Sequence, residues 1–170
     1  MSRSLLMVAT CLVLAAPAYA TSSRAFVTNA IKGDNSEIML GQMATQQGSS
    51  QGVKDFGQTL VTDHTQAKQQ MTSVADQIGV TPPNGPADEA KQEQQKLQGM
   101  QGPAFDREFV RYMVKDHKKD IAKFRREAHS DHGPAAKMAA QQLPVLEKHL
   151  RIAESLEERG AGRGRYSGQR

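Results

Sequence analysis

The sequence predicts an all-α protein, a four-helix bundle with one long crossover connection between its second and third long helices. No stretch alternates apolar and polar residues with the period of a strand, and apolar residues instead recur at intervals of three and four. Turn residues divide the chain into four long segments of this kind. The one long interruption, residues 80–102, contains Pro82, Pro83 and Pro86. Such a connection can run back along the bundle, so we expect the second and third helices to be parallel.

Turn and capping residues set the boundaries of the four predicted helices. The first helix ends at the turn Gly48-Ser49-Ser50, whose serines can cap the next helix. Gly79 ends the second helix, and the prolines after it prevent its continuation. Pro103 suits the first turn of the third helix, and Pro144 should kink the fourth. The predicted ranges are 23–47, 51–78, 103–129 and 135–158.

The middle connection is expected to carry a short polar helix. Its segment ADEAKQEQQKLQGM is rich in helix-forming residues but poor in apolar ones. Only Leu97 and Met100 are available there for burial. We therefore expect a connection, with no core of its own, joining the two helical pairs.

The first twenty residues are predicted to be a cleaved signal peptide. Arg3 precedes an apolar run, Pro17 ends that run, and Ala18-Tyr19-Ala20 supplies small residues at the cleavage positions. The run is too short for a membrane span of about 20 residues. The sequence therefore predicts an exported protein, with the periplasm as the expected compartment, and a bundle domain over residues 21–158.

The basic character of the chain comes from its end. The formal net charge of +4 includes Arg3 and four arginines in residues 159–170, and the bundle domain without them carries −1. This balance argues against a specific nucleic-acid partner. The Arg/Gly-rich tail is predicted to be disordered, with weak affinity for anionic surfaces. A homo-oligomer is compatible with the sequence.

Known catalytic motifs are absent from the sequence. There is no phosphate loop, no Gly-rich nucleotide turn and no serine in a strand-to-helix elbow. The single cysteine, Cys11, falls within the predicted signal peptide, which excludes a disulfide framework and a cysteine nucleophile. These observations lean against an enzyme.

A repeated pattern points to a site inside the bundle. F-x3-[LM]-V-x-D-H occurs from Phe56 to His64 and again from Phe109 to His117, 53 residues apart. Residues three and four positions from each histidine are mostly apolar, so both histidines face the core. The two copies indicate two related helical hairpins.

Each predicted helix directs one ionisable residue inward near its midpoint, and the four are Glu37, His64, His117 and His149. Each lies within about 5 Å of the middle of its helix at 1.5 Å per residue. In a bundle of helices of similar length, the middles of all helices lie at the same height, whether the helices are parallel or antiparallel. These side chains should therefore meet at one level of the core. They are candidate ligands for Zn, Fe, Mn or Cu. The outer partners or further ligands would be Asp63, Asp116 and Asp120.

The same residues support other interpretations. A buried Glu among three His can be a hydrogen-bonded network that fixes helix register without a metal. A redox metalloenzyme is a third hypothesis. A carboxylate-bridged di-iron centre is disfavoured because Val61 and Val114 occupy the positions where Glu-x-x-His motifs need Glu. His129-x-x-His132 could hold a metal, but a solvated turn is the default interpretation.

The combined motifs resemble a bacterial family of unknown function, DUF4142. The resemblance runs from about Phe26 to Leu156 and includes N-x5-N/D-S-E-I, V-x-D-H, F-D-R-x-[FY] and L-P-x-L-x-x-H-L. It implies a ferritin-like four-helix bundle and an envelope location, periplasmic or associated with the outer membrane. It also implies that Glu37 and the three histidines are the family's polar positions. It implies no established reaction, so metal handling or stress protection stands beside a non-catalytic role in partner binding.

Overall fold

The computed structural model describes residues 18–130 and 133–167. Their helices are α1 (Ala18–Gln47), α2 (Gln51–Gln77), α3 (Asp88–Gln98), α4 (Gly102–Ala128) and α5 (Pro134–Ser167). None of the described residues lies in a strand, so the predicted all-α class is confirmed. The described helices number five, because the connection between two of the four long helices contains α3. Among the described helices, none is long and apolar enough to cross a membrane.

The long helices alternate in direction between neighbours. Arg24, near the start of α1, donates hydrogen bonds to the carbonyls of Ile78 and Gly79 after α2, so these two helices are antiparallel. Ion pairs Lys118–Glu154 and Arg125–Glu147 link α4 and α5 in the same antiparallel sense.

The start of α2 lies against the start of α4, which makes these two helices parallel as predicted. The carboxylate of Asp106 accepts hydrogen bonds from the backbone N–H groups of Ser49 (2.7 Å) and Ser50 (2.8 Å). Ser50 also caps α2 itself, because its side chain accepts from the N–H of Val53. The first N–H groups of a helix lack partners within it, so these contacts satisfy donors and tie the start of α2 to the start of α4.

Helix α3 follows the predicted short polar segment but buries more than expected. Leu97 is fully buried and Met100 packs against the core, as the sequence predicts. Ala90 and Glu93 are buried as well. The connection is therefore packed against the bundle.

The two chain ends differ from the predicted boundaries. Helix α1 begins at Ala18, and residues 1–17 of the predicted signal peptide lie outside the described residues. Helix α5 includes Pro144 and continues past residue 158 to Ser167. The backbone of residues 159–167 is thus helical where the sequence predicts a disordered tail, since adding a residue to an existing helix is easier than starting one.

The core consists of two apolar clusters. One surrounds Phe56, Phe105 and Phe109, and the other surrounds Ile31 and Met71. Between them each long helix contributes buried polar side chains, which form a polar layer of Asp34, Glu37, His64, His117 and His149. The bundle therefore positions ionisable groups at one level between two apolar regions.

Candidate metal centre

Three long helices each contribute one histidine to the polar layer. His64 of α2 is 5% exposed, His117 of α4 is 2% exposed and His149 of α5 is fully buried. Buried residues one turn from each histidine pack into the two clusters and direct the imidazoles inward: Leu60 near His64, Met113 and Ile121 near His117, and Leu146 and Ala153 near His149. All three histidines are buried, as helical periodicity predicts.

The three imidazoles, here called the three-histidine cluster, converge on one point. One ring nitrogen from each lies within 4.8 Å of the others. The ring centroids are 5.3 Å apart for His64 and His149, 5.4 Å for His117 and His149, and 6.1 Å for His64 and His117. Among the described residues, this is the one group of at least three His, Cys, Asp or Glu side chains that meets at such distances.

In each imidazole, one nitrogen is already held by an acceptor outside the cluster. His64 Nδ1 lies 2.9 Å from Asp34 Oδ1, and His149 Nε2 lies 2.8 Å from Asp63 Oδ2. His117 Nδ1 donates to the carbonyl of Met113 at 3.0 Å, since a carbonyl oxygen can only accept. These contacts fix the orientation of each ring and leave its other nitrogen as the lone-pair atom.

The remaining nitrogens have no hydrogen-bond partner. His64 Nε2, His117 Nε2 and His149 Nδ1 are all buried and unsatisfied. A buried polar atom without a partner costs about 1–3 kcal/mol, so leaving three of them at one point is unfavourable. A shared cation would satisfy all three lone pairs at once.

Burial keeps two of these imidazoles neutral. Desolvation, together with the nearby His64 and His149, lowers the pKa of His117 to about 3. Desolvation and His64 also lower the pKa of His149 to about 4, against the opposing effect of Asp63. Neutral imidazole is the form that binds a metal, so His117 and His149 are in the ligating form at neutral pH.

Glu37 lies beside the cluster, not within it. Its Oε1 is 3.9 Å from His117 Nδ1, the nitrogen that bonds the Met113 carbonyl. Burial raises the pKa of Glu37 well above its usual value, and the nearby Asp116 carboxyl raises it further. The structure thus brings together three of the four predicted inward residues and places Glu37 as a buried carboxyl next to them.

Asp34 is the neighbour of the cluster that sequence analysis missed. It is 5% exposed, and burial raises its pKa despite the hydrogen bond to His64. It precedes Glu37 by three residues and so shares its helix face, which is the signal that could have found it. Its role as partner of His64 matches that of Asp63 for His149.

The predicted outer aspartates occupy different surroundings. Asp63 contacts His149 and Lys148; burial alone would raise its pKa, but these contacts lower it. Asp116 faces Glu37, and burial and Asp120 raise its pKa. Asp120 accepts a hydrogen bond from Lys123 at 2.6 Å and contacts none of the three histidines. Of these three predicted aspartates, Asp63 is the one that contacts a histidine of the cluster directly.

His129, one member of the second histidine pair, lies outside the three-histidine cluster. His129 is exposed, and its Nδ1 lies 2.6 Å from the carbonyl of Arg125 at the end of α4. His132 lies outside the described residues. The described geometry of His129 is that of a helix-end contact.

The fold and the site define a class of protein: an all-α bundle with three histidines converging in its core. The chain belongs to the family described as Domain of unknown function (DUF4142), whose model matches residues 11–156. This confirms the family resemblance found in the motifs. No curated protein matches the chain.

A solved structure shares the fold. It is titled "Crystal structure of DUF305 fragment from Deinococcus radiodurans" and has a TM-score of 0.67 at 16% sequence identity. The similarity covers 85% of this chain and 98% of that chain. At this identity the likeness establishes a common helical architecture, and the chemistry of the site has to be argued from its own atoms.

Proposed function

We propose that this protein is an exported, ferritin-like bundle protein of the bacterial envelope that binds one transition-metal ion through His64, His117 and His149. Two observations carry the proposal: one ring nitrogen of each buried histidine lies within 4.8 Å of the others, and each imidazole has one unsatisfied nitrogen while its opposite nitrogen is held by an acceptor. Histidines that bind metals in proteins have this arrangement. The role would be metal handling or stress protection.

The donor set favours a transition metal of intermediate softness. Imidazole nitrogen suits Zn, Cu and Fe, whereas Mg and Ca prefer oxygen. Metal–nitrogen bonds of about 2.1 Å in tetrahedral geometry require nitrogens about 3.4 Å apart. The present separations of up to 4.8 Å would close by ring movements of about an ångström each. Three protein ligands would leave one position for water or a small ligand.

The alternative is a structural polar network in a non-catalytic envelope protein whose surface binds a partner. Such a network stabilises a core when its members satisfy one another. Here one nitrogen of each histidine in the three-histidine cluster has no partner, and Asp34 Oδ2 and Glu37 Oε2 are also unsatisfied. These unsatisfied atoms favour the metal centre over the network.

Elemental analysis of the untagged protein, after loading with Zn, Fe, Mn or Cu and removal of free metal, tests the proposal. We expect one of these metals near one equivalent per chain. The double variant His64→Ala/His117→Ala should lose it, and the exposed-site control His129→Ala should retain it. His117→Gln provides a milder change if the double variant does not fold. No metal in the wild type, or equal metal in the double variant, would contradict the proposal.

Export is tested separately. Expression of the full chain in a Gram-negative host, followed by fractionation and intact-mass measurement, should give a periplasmic species that begins at Thr21. The cleavage-site variant Ala20→Arg should accumulate uncleaved. A cytoplasmic protein of full mass would contradict the export proposal and leave the metal proposal unaffected.

A further inference from the structure

A groove beside the three-histidine cluster is lined by three aspartates, none of which is a member of the cluster. Its volume is about 330 Å³, and its lining includes Asp34, Asp63, His64 and Asp120. His64 is the member of the cluster that reaches this groove. His64 therefore belongs both to the groove and to the cluster.

Two buried atoms in the lining residues lack partners. Asp34 binds His64 through Oδ1, while its Oδ2 is buried and unsatisfied. His64 binds Asp34 through Nδ1, while its Nε2 is likewise unsatisfied. Two residues in contact thus each have one unsatisfied atom, a carboxylate oxygen and an imidazole nitrogen, and both kinds of atom can bind a cation.

Asp120 adds a second carboxylate oxygen. Lys123 bonds its Oδ1 at 2.6 Å, and its Oδ2 lies 3.6 Å from the position that a Cβ would occupy at Gly33. The absence of a side chain at Gly33 leaves this oxygen room between α1 and α4. Asp63 is less available because Lys148 and His149 both contact its Oδ2.

We propose that the groove is a second cation site, in which Asp34 and Asp120 hold a hydrated divalent cation before it enters the three-histidine cluster. In the described part of the chain, these aspartates belong to no converging group of three His, Cys, Asp or Glu side chains, so the site would hold the cation through two carboxylates. A divalent cation held by one or two carboxylates keeps several of its waters, and those waters can bind further acceptors. The glutamine side chains of the lining, Gln66, Gln70, Gln141 and Gln142, supply further amide oxygens. The loading role rests on the proposed three-histidine metal centre.

Mn²⁺ binding, followed by the relaxation rate of water protons, tests the groove site. Bound Mn²⁺ that keeps its waters should raise this rate in the wild type and also in His117→Ala/His149→Ala, because neither histidine lines the groove. Asp120→Asn should weaken Mn²⁺ binding about tenfold. The control Asp76→Asn removes the same charge from an exposed position of α2 and should have no effect. An Mn²⁺ signal that is absent, insensitive to Asp120→Asn, or lost with the two histidines would overturn the groove site.

Stopped-flow uptake of Co²⁺ tests loading. The visible spectrum of Co²⁺ in the three-histidine cluster should form about tenfold more slowly in Asp120→Asn than in Asp76→Asn, with the same final spectrum. Equal rates would overturn the loading role. If Co²⁺ gives no such spectrum in the wild type, the proposed metal centre fails and loading fails with it. If the spectrum forms but Mn²⁺ gives no signal, only the groove site fails.

Discussion

The two apolar clusters and the polar layer between them differ in how well their buried atoms are satisfied. The clusters bury aromatic and aliphatic side chains such as Phe109, which is fully buried and contacts Phe56 and Phe105. The polar layer buries five ionisable residues and leaves an unsatisfied nitrogen or oxygen on each. Apolar burial stabilises a fold, whereas unsatisfied polar burial destabilises it. The difference indicates that the clusters maintain the bundle and that the polar layer serves a ligand.

The largest expected effect is the loss of an apolar anchor. Phe109→Ala should lower the free energy of unfolding by about 3–5 kcal/mol, because it leaves a cavity between α2 and α4. Urea denaturation of the metal-free protein measures this change. Val145→Ala, at a position 38% exposed, should change it by less than about 0.5 kcal/mol. A similar loss in both variants would show that the cluster around Phe109 does not hold the bundle together.

The next largest effect is a gain of stability from metal. A ligand that binds only the folded state at 100 times its Kd adds about 2.7 kcal/mol to the free energy of unfolding. Zn²⁺ or Co²⁺ should therefore raise the Tm of the wild type by several degrees. The same addition should leave the Tm of His64→Ala/His117→Ala unchanged. A rise of equal size in both proteins would place the metal elsewhere.

Sequence reasoning found the histidines because helical periodicity fixes which face a residue occupies. The period of 3.6 residues directs His64, His117 and His149 to the core, and the repeated pattern sets two of them at equal heights. Periodicity also directed Glu37 inward correctly. It could not distinguish a side chain that joins the convergent set from one that lies behind His117, because that depends on rotamers and on distances between helices.

The partners of the histidines were harder to predict for the same reason. Asp34 reaches His64 from another helix across 30 residues of sequence, and Asp63 reaches His149 across 86. The contact of Asp106 with the start of α2 is equally non-local. Sequence analysis included Asp106 only as the aspartate of the F-D-R-x-[FY] motif. Local patterns determine faces and ends of helices, whereas these contacts arise from the packing of one helical pair on the other.

A smaller effect is the pH dependence that His117 gives to the free energy of unfolding. His117 has a folded-state pKa of about 3, against 6.5 when exposed, so below pH 6.5 the unfolded chain takes up a proton that the folded chain does not. This group's contribution to stability is present above pH 6.5 and is lost as the pH falls towards 3. The variant His117→Leu has no titrating group at this position, so it does not undergo this loss of stability. Relative to the wild type, this variant should gain about 1.4 kcal/mol between pH 7.5 and 5.5.

The comparison must be made on metal-free proteins by urea denaturation at both pH values. The raised pKa values of Asp34, Glu37 and Asp116 act in the opposite direction, but these carboxyls are present in both proteins. Their contributions therefore largely cancel in the difference. A difference that does not change with pH would mean that the folded-state pKa of His117 is not lowered, and a change of the opposite sign would mean that it is raised.

The smallest expected effect compares the packing of the two regions through two helical glycines. A Cβ at Gly33, beside the groove, would meet only Asp120 Oδ2 at 3.6 Å, an ordinary contact distance. A Cβ at Gly57, among the apolar residues, would lie 2.6 Å from the carbonyl oxygen of Gly41 and 2.8 Å from the Cβ of Ala44. Gly33→Ala should therefore stabilise the protein by about 0.5–1 kcal/mol, since alanine loses less backbone entropy in a helix, whereas Gly57→Ala should destabilise it. Destabilisation by both alanines in thermal unfolding would show that the polar layer is packed as tightly as the apolar clusters, and the groove would then have no room for a hydrated cation.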